Sequence, residues 1–315
     1  ETCPWSLSGY CNDTFWMCTG CSSNQTIQVG IFDVIDLHAH TTCSDGTDSP
    51  RALINTALAQ GIKIIGLTDH DSIAGWTEAI SALRGDIEIV LGAEISCLTE
   101  SGMSVHMLGL LFDGSNAEML SMLEQTRDDR VPRMIKMIEL LNNAGIHVSM
   151  QDVEEVMPHG ATMGRPHLAD ALVRAGVIAS RDEAFKELLH NESRFYVAHL
   201  APTPEVAIAQ IRAAGGVAVI AHPFASRRGE TLRSDAFTSL VAVGLNGIEV
   251  DHRDQNNDER AMLREIAREL DLVTTGSSDY HGIGKLNRLG ECTTDAGQWE
   301  KLEALANQRR VVKAE

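Results

Sequence analysis

The stretch Val34-Ile-Asp-Leu-His-Ala-His40 decides how this chain is read. Val34, Ile35, Leu37 and Ala39 are apolar or small, and the polar residues fall at Asp36, His38 and His40. Residues two apart on a strand point to the same side, so His38 and His40 project together from one end of a short strand. Two imidazoles on one side are a ready pair of metal ligands. The signal recurs down the chain, each time as polar residues at the C-terminal end of an apolar run.

Lys63-Ile-Ile-Gly-Leu-Thr68 predicts a buried strand that delivers Asp69-His70-Asp71, and a strand at 87–91 leads to Gly92-Ala-Glu94. Ser104 to Phe112 reads as a strand carrying His106. Between these runs, Ser49-Pro50 starts a helix closed by Gly61, and 73–84 reads as a second helix. Strands alternating with helices predict a parallel α/β sheet or barrel. From about 116 to 215 the pattern is mostly helical, with apolar stripes at 119–141, 168–173 and 184–189. The alternation resumes with Val217–Ala221 and His222-Pro223, helix 234–243, strand Gly247–Asp251, helix 256–270 and strand Leu272–Gly276. Residues 289–315 give a last short strand and a closing helix near 296–308. The expected organisation is a metal-binding body over 31–115 and 216–315, with 116–215 an inserted helical subdomain capping the substrate site. Charged runs such as Arg127-Asp-Asp-Arg130 read as solvated helix faces.

The 315 residues carry 43% hydrophobic and 22% charged side chains, which suits one large soluble domain or a domain with a substantial insertion. No apolar run reaches membrane-spanning length. A formal charge of −18 argues against holding long nucleic acid through phosphate contacts, but not against a small phosphorylated partner. Cys3, Cys11, Cys18 and Cys21 crowd the first segment, whereas Cys43, Cys97 and Cys292 are scattered. Residues 1–30 read as an atypical N-terminal extension, either a poorly ordered leader or a small metal or disulfide knot, and not as a signal peptide. Scattered Cys in the body suggests a reducing, cytoplasmic setting. Oligomeric state is not legible.

Collected, the strand-end residues are His38, His40, Asp45, His70, Glu94, His106, His222, Asp279 and His281. Gathering so many ionisable groups is costly unless metal ions compensate them. The spacing points to a multinuclear site with mixed nitrogen and oxygen donors, suited to about three Zn, Mn or Fe ions. Asp36, Asp69 and Asp71 are expected to orient imidazoles rather than to bind metal.

Five ordered motifs carry a resemblance: Asp36-Leu-His-Ala-His40, Thr68-Asp-His-Asp71, Gly92-Ala-Glu94, His222-Pro223 and Ser278-Asp-Tyr-His281. Over residues 31–315 the chain resembles the polymerase-and-histidinol-phosphatase (PHP) family. The resemblance implies a distorted (β/α)7 barrel and a trinuclear metal centre. It implies that His38, His40, Glu94 and Asp279 hold one ion, that Glu94 bridges to a second held by His106 and His222, and that Asp45, His70 and His281 hold the third.

Met163-Gly-Arg-Pro-His-Leu-Ala169 resembles a stretch of the stand-alone phosphoesterase branch. There Arg165 would clamp a substrate phosphate, with His167 as a second candidate. Arg194, Tyr196, His199, Arg227 and Arg228 are weaker phosphate-binding candidates. His281 or His252 would protonate the leaving oxygen. The implied activity is removal of the 3′-phosphate of nucleoside 3′,5′-bisphosphates, or hydrolysis of short 5′-phosphorylated oligonucleotides, by metal-activated hydroxide. The alternatives are a histidinol-phosphate phosphatase and a noncatalytic PHP accessory module.

Overall fold

The computed structural model describes residues 33–198, 200–226, 229–307 and 310–314; the Cys-rich first segment, His199, Arg227 and Arg228 lie outside them. The opening run forms β1 (Val34–Asp36), after which Ser49 caps α1 (Pro50–Ala59) by accepting the Ala52 N–H, with Pro50 in the first turn. Then come β2 (Ile62–Leu67), α2 (Trp76–Ala82), β3 (Glu88–Leu98) and β4 (Ser104–Leu110). A helical stretch comprises α3 (Ala117–Asp128), α4 (Arg130–Asn143), α5 (Met150–Val156), α6 (Arg165–Arg174), α7 (Arg181–Glu187) and α8 (Pro204–Ala213). The chain closes with β5 (Val217–Ala221), α9 (Ala236–Ala242), β6 (Gly247–Asp251), α10 (Asn257–Glu269), β7 (Val273–Gly276), α11 (Ala296–Ala304) and β8 (Val312–Lys313).

The strands make one mixed eight-stranded sheet in the order β1 to β7, with β8 added beside β3. The pairs β1/β2, β2/β3, β5/β6 and β6/β7 are parallel, as the alternation with helices requires. β4 runs antiparallel to both neighbours, against the expectation of a parallel sheet. The reason is local: Thr99–Met103 is too short for a crossover helix, and Gly102 at φ +83° closes a hairpin with Thr99. That hairpin extends β3 well past 91, so Glu94 sits within a strand rather than at its end. The last short strand follows the closing helix instead of preceding it.

Alternate strand residues feed two cores. Ile65, Leu67, Ile89, Leu91, Met107, Ile220 and Ile248 pack with α1, α2, α3, α8 and α9. Ile35, Leu37, Ile64, Val90, Leu108 and Val219 pack with Trp299 and Leu302 of α11. A separate cluster joins α4, α5, α6 and α7 through Met134, Met137, Leu141, Val153, Leu168 and Leu172. The 119–141 stripe is divided between two cores, because the chain breaks at Asp129: Met119, Met122 and Leu123 join the first, Met134 onward the third.

Four non-glycine residues that follow strands lie in the left-handed region: Asp71 at φ 49°, Leu111 at 59°, His222 at 33° and Asp279 at 52°, and all but Leu111 lie in or beside the donor motifs. Such backbone costs about 1–3 kcal/mol per residue and gathers where function over-determines it. No helix among the described residues is long and apolar enough to cross a membrane.

Candidate metal centre

The strand ends bring the sequence-nominated donors together. His38 Nε2 and His40 Nε2 lie 3.0 Å apart, with Glu94 Oε2 at 3.3 and 3.1 Å and Asp279 Oδ1 at 3.5 and 3.4 Å from them. On the other Glu94 oxygen, Oε1, converge His106 Nδ1 at 2.7 Å and His222 Nε2 at 3.2 Å. Asp45 lies 3.2 Å from His281 Nε2 and 3.9 Å from His70 Nε2, and these three share a donor group with His40. Glu94 thus stands between two groups of imidazoles, one on each oxygen.

The residues fit divalent ions. Two nitrogens, His70 Nδ1 and His281 Nε2, are buried without a hydrogen bond, although a carboxylate oxygen lies 3.1 and 3.2 Å away. Buried polar atoms are rarely left this way, and a cation among such donors would satisfy them. Electrostatics divide the imidazoles. Burial pushes His70 well below the ordinary imidazole range, and His281 down to about 4 with help from Lys285 and His40. Burial opposes ionisation of Glu94 and Asp45, yet the neighbouring imidazoles hold both carboxyls well below their usual range. Charged carboxylates and neutral imidazoles are the forms that bind metal; despite burial, the carboxylates around His38 and His40 raise both, His40 to about 9, so a cation bound there would displace their protons.

Of the three aspartates expected to orient imidazoles, Asp69 reaches one through Ser44, whose Oγ lies 3.4 Å from His40 Nδ1, and Asp36 and Asp71 act otherwise. Asp36 accepts the backbone N–H of Ser278 at 3.0 Å and Gly290 at 2.9 Å, tying β1 to the chain after β7. Asp69 accepts Thr41 N–H, Thr41 Oγ1–H and Ser44 Oγ–H, each at 2.7 Å. Asp71 accepts Ser96 N–H at 2.8 Å and pairs with Arg130. A carboxylate outside the nominated donors that touches an imidazole edge is Glu249, 3.0 Å from His38 Nδ1. Sequence reasoning missed it, although it sits in a strand end, Gly247-Ile-Glu-Val-Asp251, of the kind that nominated the others.

The donors open on a cleft of about 870 Å³, lined by Asp45, His70, His106 and His222 on one side and by Arg130, Arg133, Arg165, Arg181 and Lys285 on others. Arg165 donates from Nη1 to the Leu189 carbonyl at 2.8 Å and to Asn191 Oδ1 at 2.7 Å. Arg133 donates from Nε to the Val197 carbonyl at 2.6 Å, and both guanidinium groups lie 5.3 Å from the Tyr196 ring. Neither forms an ion pair with any described carboxylate, and burial pulls Arg165 down to about 10 and Arg133 to about 9. Arg130, expected on a solvated face, is buried: Nε and Nη2 grip Asp71, Nη2 reaches Ser96 Oγ and Nη1 the Met163 carbonyl.

Other candidates are placed differently. His167 is buried in the first turn of α6, where its Nδ1 accepts the Gly164 N–H, and it does not line the cleft. Arg194 is exposed, stacked on the adjacent Phe195 ring and away from the cleft lining. His252 is fully buried; its Nδ1 accepts the Asp254 N–H and its Nε2 lies 3.4 Å from Asp279 Oδ2. Lys285, not singled out from sequence, places its ammonium 3.0 Å from the same oxygen.

The PHP domain family matches residues 36–199, which include the first three motifs and Glu94. This chain belongs to the PHP family. Among curated proteins, this PHP chain is 37% identical over 249 residues to a 5′-3′ exoribonuclease of Haemophilus influenzae, covering 78% of this chain and 89% of that protein. It is 31% identical over 276 residues to a 3′,5′-nucleoside bisphosphate phosphatase of Chromobacterium violaceum, covering 86% and 96%. A crystal structure of a candidate metal-dependent phosphoesterase from Bifidobacterium adolescentis superposes with a TM-score of 0.82 at 37% identity, covering 87% of this chain and 97% of that one. With its donor groups in place, this PHP protein is a metal-dependent phosphoesterase, a hydrolase of phosphate ester bonds.

Proposed function

We propose that this PHP protein removes the 3′-phosphate of nucleoside 3′,5′-bisphosphates, hydrolyses short 5′-phosphorylated oligonucleotides, or does both, at a centre of three divalent ions, Mn, Zn or Fe. The observation that carries the reading is that one cleft joins the metal donors to two guanidinium groups, buried Arg133 and half-buried Arg165, that form no ion pair with a described carboxylate. A substrate with a single phosphate answers only the metal donors. A second phosphate answers the guanidinium groups as well, and the relatives named above are a bisphosphate phosphatase and an exoribonuclease.

His38, His40, Glu94 and Asp279 would hold one ion, Glu94 with His106 and His222 a second, and Asp45, His70 and His281, beside His40, the third. Bound ions polarise phosphoryl oxygens and make a water acidic near neutral pH. Arg165 and Arg133 orient the distal phosphate through paired N–H donors, which sets the scissile ester against the donor groups. His281 donates its Nδ1–H to the Asp279 carbonyl at 2.8 Å, so it serves as a donor to metal rather than as the acid. His252, whose Nδ1 accepts, keeps its proton on Nε2 beside Asp279, and Lys285 on the cleft wall is better placed to meet a departing oxygen.

We read the sheet as the distorted seven-stranded barrel, since a lone parallel bridge, Ala39 to Tyr280, joins the continuation of β1 to the chain after β7. The α4–α7 cluster is read as the cap, because it supplies Arg133, Arg165 and Arg181 to the cleft. Free thiols at Cys43, Cys97 and Cys292 support a reducing, cytoplasmic setting.

The test is phosphate release by Mn-reconstituted protein from adenosine 3′,5′-bisphosphate, a short 5′-phosphorylated RNA and histidinol phosphate. Preference for the first or second is expected. Turnover of histidinol phosphate alone would overturn the substrate assignment and leave the metal centre standing.

A further inference from the structure

We infer that Glu249 is a positioning residue that prepares two metal groups at once: it fixes the proton of His38 on Nδ1 and holds the backbone of His222 in its left-handed turn. The inference rests on the metal-centre reading above.

Glu249 is the third residue of β6 and is fully buried. Its Oε1 lies 3.0 Å from His38 Nδ1, and its Oε2 accepts the His222 N–H at 2.9 Å. An ionised carboxylate only accepts, so the proton on that edge of His38 belongs to Nδ1. The lone pair is then left on Nε2, the nitrogen that faces Glu94 and Asp279. At His222, φ is 33°, a conformation that a residue with a Cβ keeps only when its surroundings impose it. Glu249 supplies one restraint and Gln255 the next: Gln255 Oε1 accepts the Phe224 N–H at 2.9 Å, and its Nε2 donates to the carbonyls of Glu249 and Val250. The turn that aims His222 at Glu94 is therefore caught by two buried side chains.

Glu249 also falls within a cluster of donor atoms with His38 and His222 that is tight enough to hold an ion. Each of its oxygens is already engaged by a fixed donor, so the geometry favours orientation over ligation.

Two measurements decide. In nitrogen-15 histidine spectra of the zinc-loaded wild type, His38 should show a protonated Nδ1 and a zinc-bonded Nε2; zinc on Nδ1 would overturn the inference. The second measurement is metal content and affinity of E249Q and E249D. A Gln side chain has one acceptor oxygen; if it takes the His222 N–H, its NH2 faces His38 and drives the proton to Nε2. E249Q should therefore bind zinc about 10–100-fold more weakly, the usual cost of losing a partner that orients a metal-ligating His. E249D, which keeps two acceptors, should recover part of that loss. E249Q with wild-type zinc content and affinity would overturn the inference. Should E249Q not fold, the wild-type spectrum still decides. Wild-type protein that takes up no zinc would instead overturn the metal reading, and this inference with it.

Discussion

Among the described residues Arg165 commits only Nη1 to protein acceptors, Leu189 and Asn191, while burial makes its charge expensive. A cation kept under those terms waits for an anion. Arg165→Ala should raise KM for a nucleoside bisphosphate at least about tenfold, since hydrogen bonds to charged groups contribute about 1.5–3 kcal/mol. Metal content should not change. Steady-state kinetics beside metal analysis checks both, and unaltered KM would return Arg165 to a structural role on the Leu189–Asn191 turn. His70→Ala is expected to behave oppositely, lowering metal content and activity together, because His70 offers a buried nitrogen without a hydrogen bond among carboxylate and imidazole donors, which a cation would satisfy. At this scale the sequence was informative for a definite reason. Several of the donors leave the ends of regular strands, so His38, His40, His70 and His222 each follow an apolar run that can be recognised without coordinates. Glu249, Arg133 and Lys285 were not recognised, because what singles them out is a partner more than thirty residues away or a position on a cleft wall. Asp36 and Asp71 differ in the same way: their type and place suggest imidazole partners, while packing gives them backbone N–H groups and Arg130; Asp69 does reach His40, through the Ser44 hydroxyl.

Between elements, Arg130 at the start of α4 joins the β2 exit to the turn before α6, through Asp71, Ser96 and the Met163 carbonyl. Arg130→Met would leave the buried Asp71 carboxylate unpaired. Breaking such a pair from one side costs about 3–5 kcal/mol, so the melting temperature should fall by several degrees or more. A double-mutant cycle with Asp71→Asn checks it; additive losses would show that the pair does not couple the two elements. Gly66 makes a second, steric claim. A Cβ there would lie 2.1 Å from the Leu37 carbonyl oxygen on the neighbouring segment, so Gly66→Ala should cost more stability than Arg130→Met, or prevent folding. Denaturant titration measures it, and a variant as stable as wild type would contradict the close approach of β2 to the His38-bearing segment. Element type was legible wherever periodicity was unbroken, as in β2, α1 and β5. Direction was not: the antiparallel β4 follows from a five-residue connection, and the division of 119–141 between two cores follows from tertiary packing that an apolar stripe does not encode.

For the molecule as a whole, the sheet, the helices and the cleft serve to hold carboxylates and imidazoles closer than bare electrostatics favours. Ions that bind this arrangement and not the unfolded chain stabilise it by mass action, about 2.7 kcal/mol at a free concentration of 100 times Kd. Removing them should therefore lower the melting temperature as well as activity, and readdition of Mn should restore both. The most direct test of the account is phosphate release from adenosine 3′,5′-bisphosphate by one preparation before chelation, after chelation and after reloading with Mn. Release should be lost with the metal and regained with it. Release that persists in metal-free protein would contradict it.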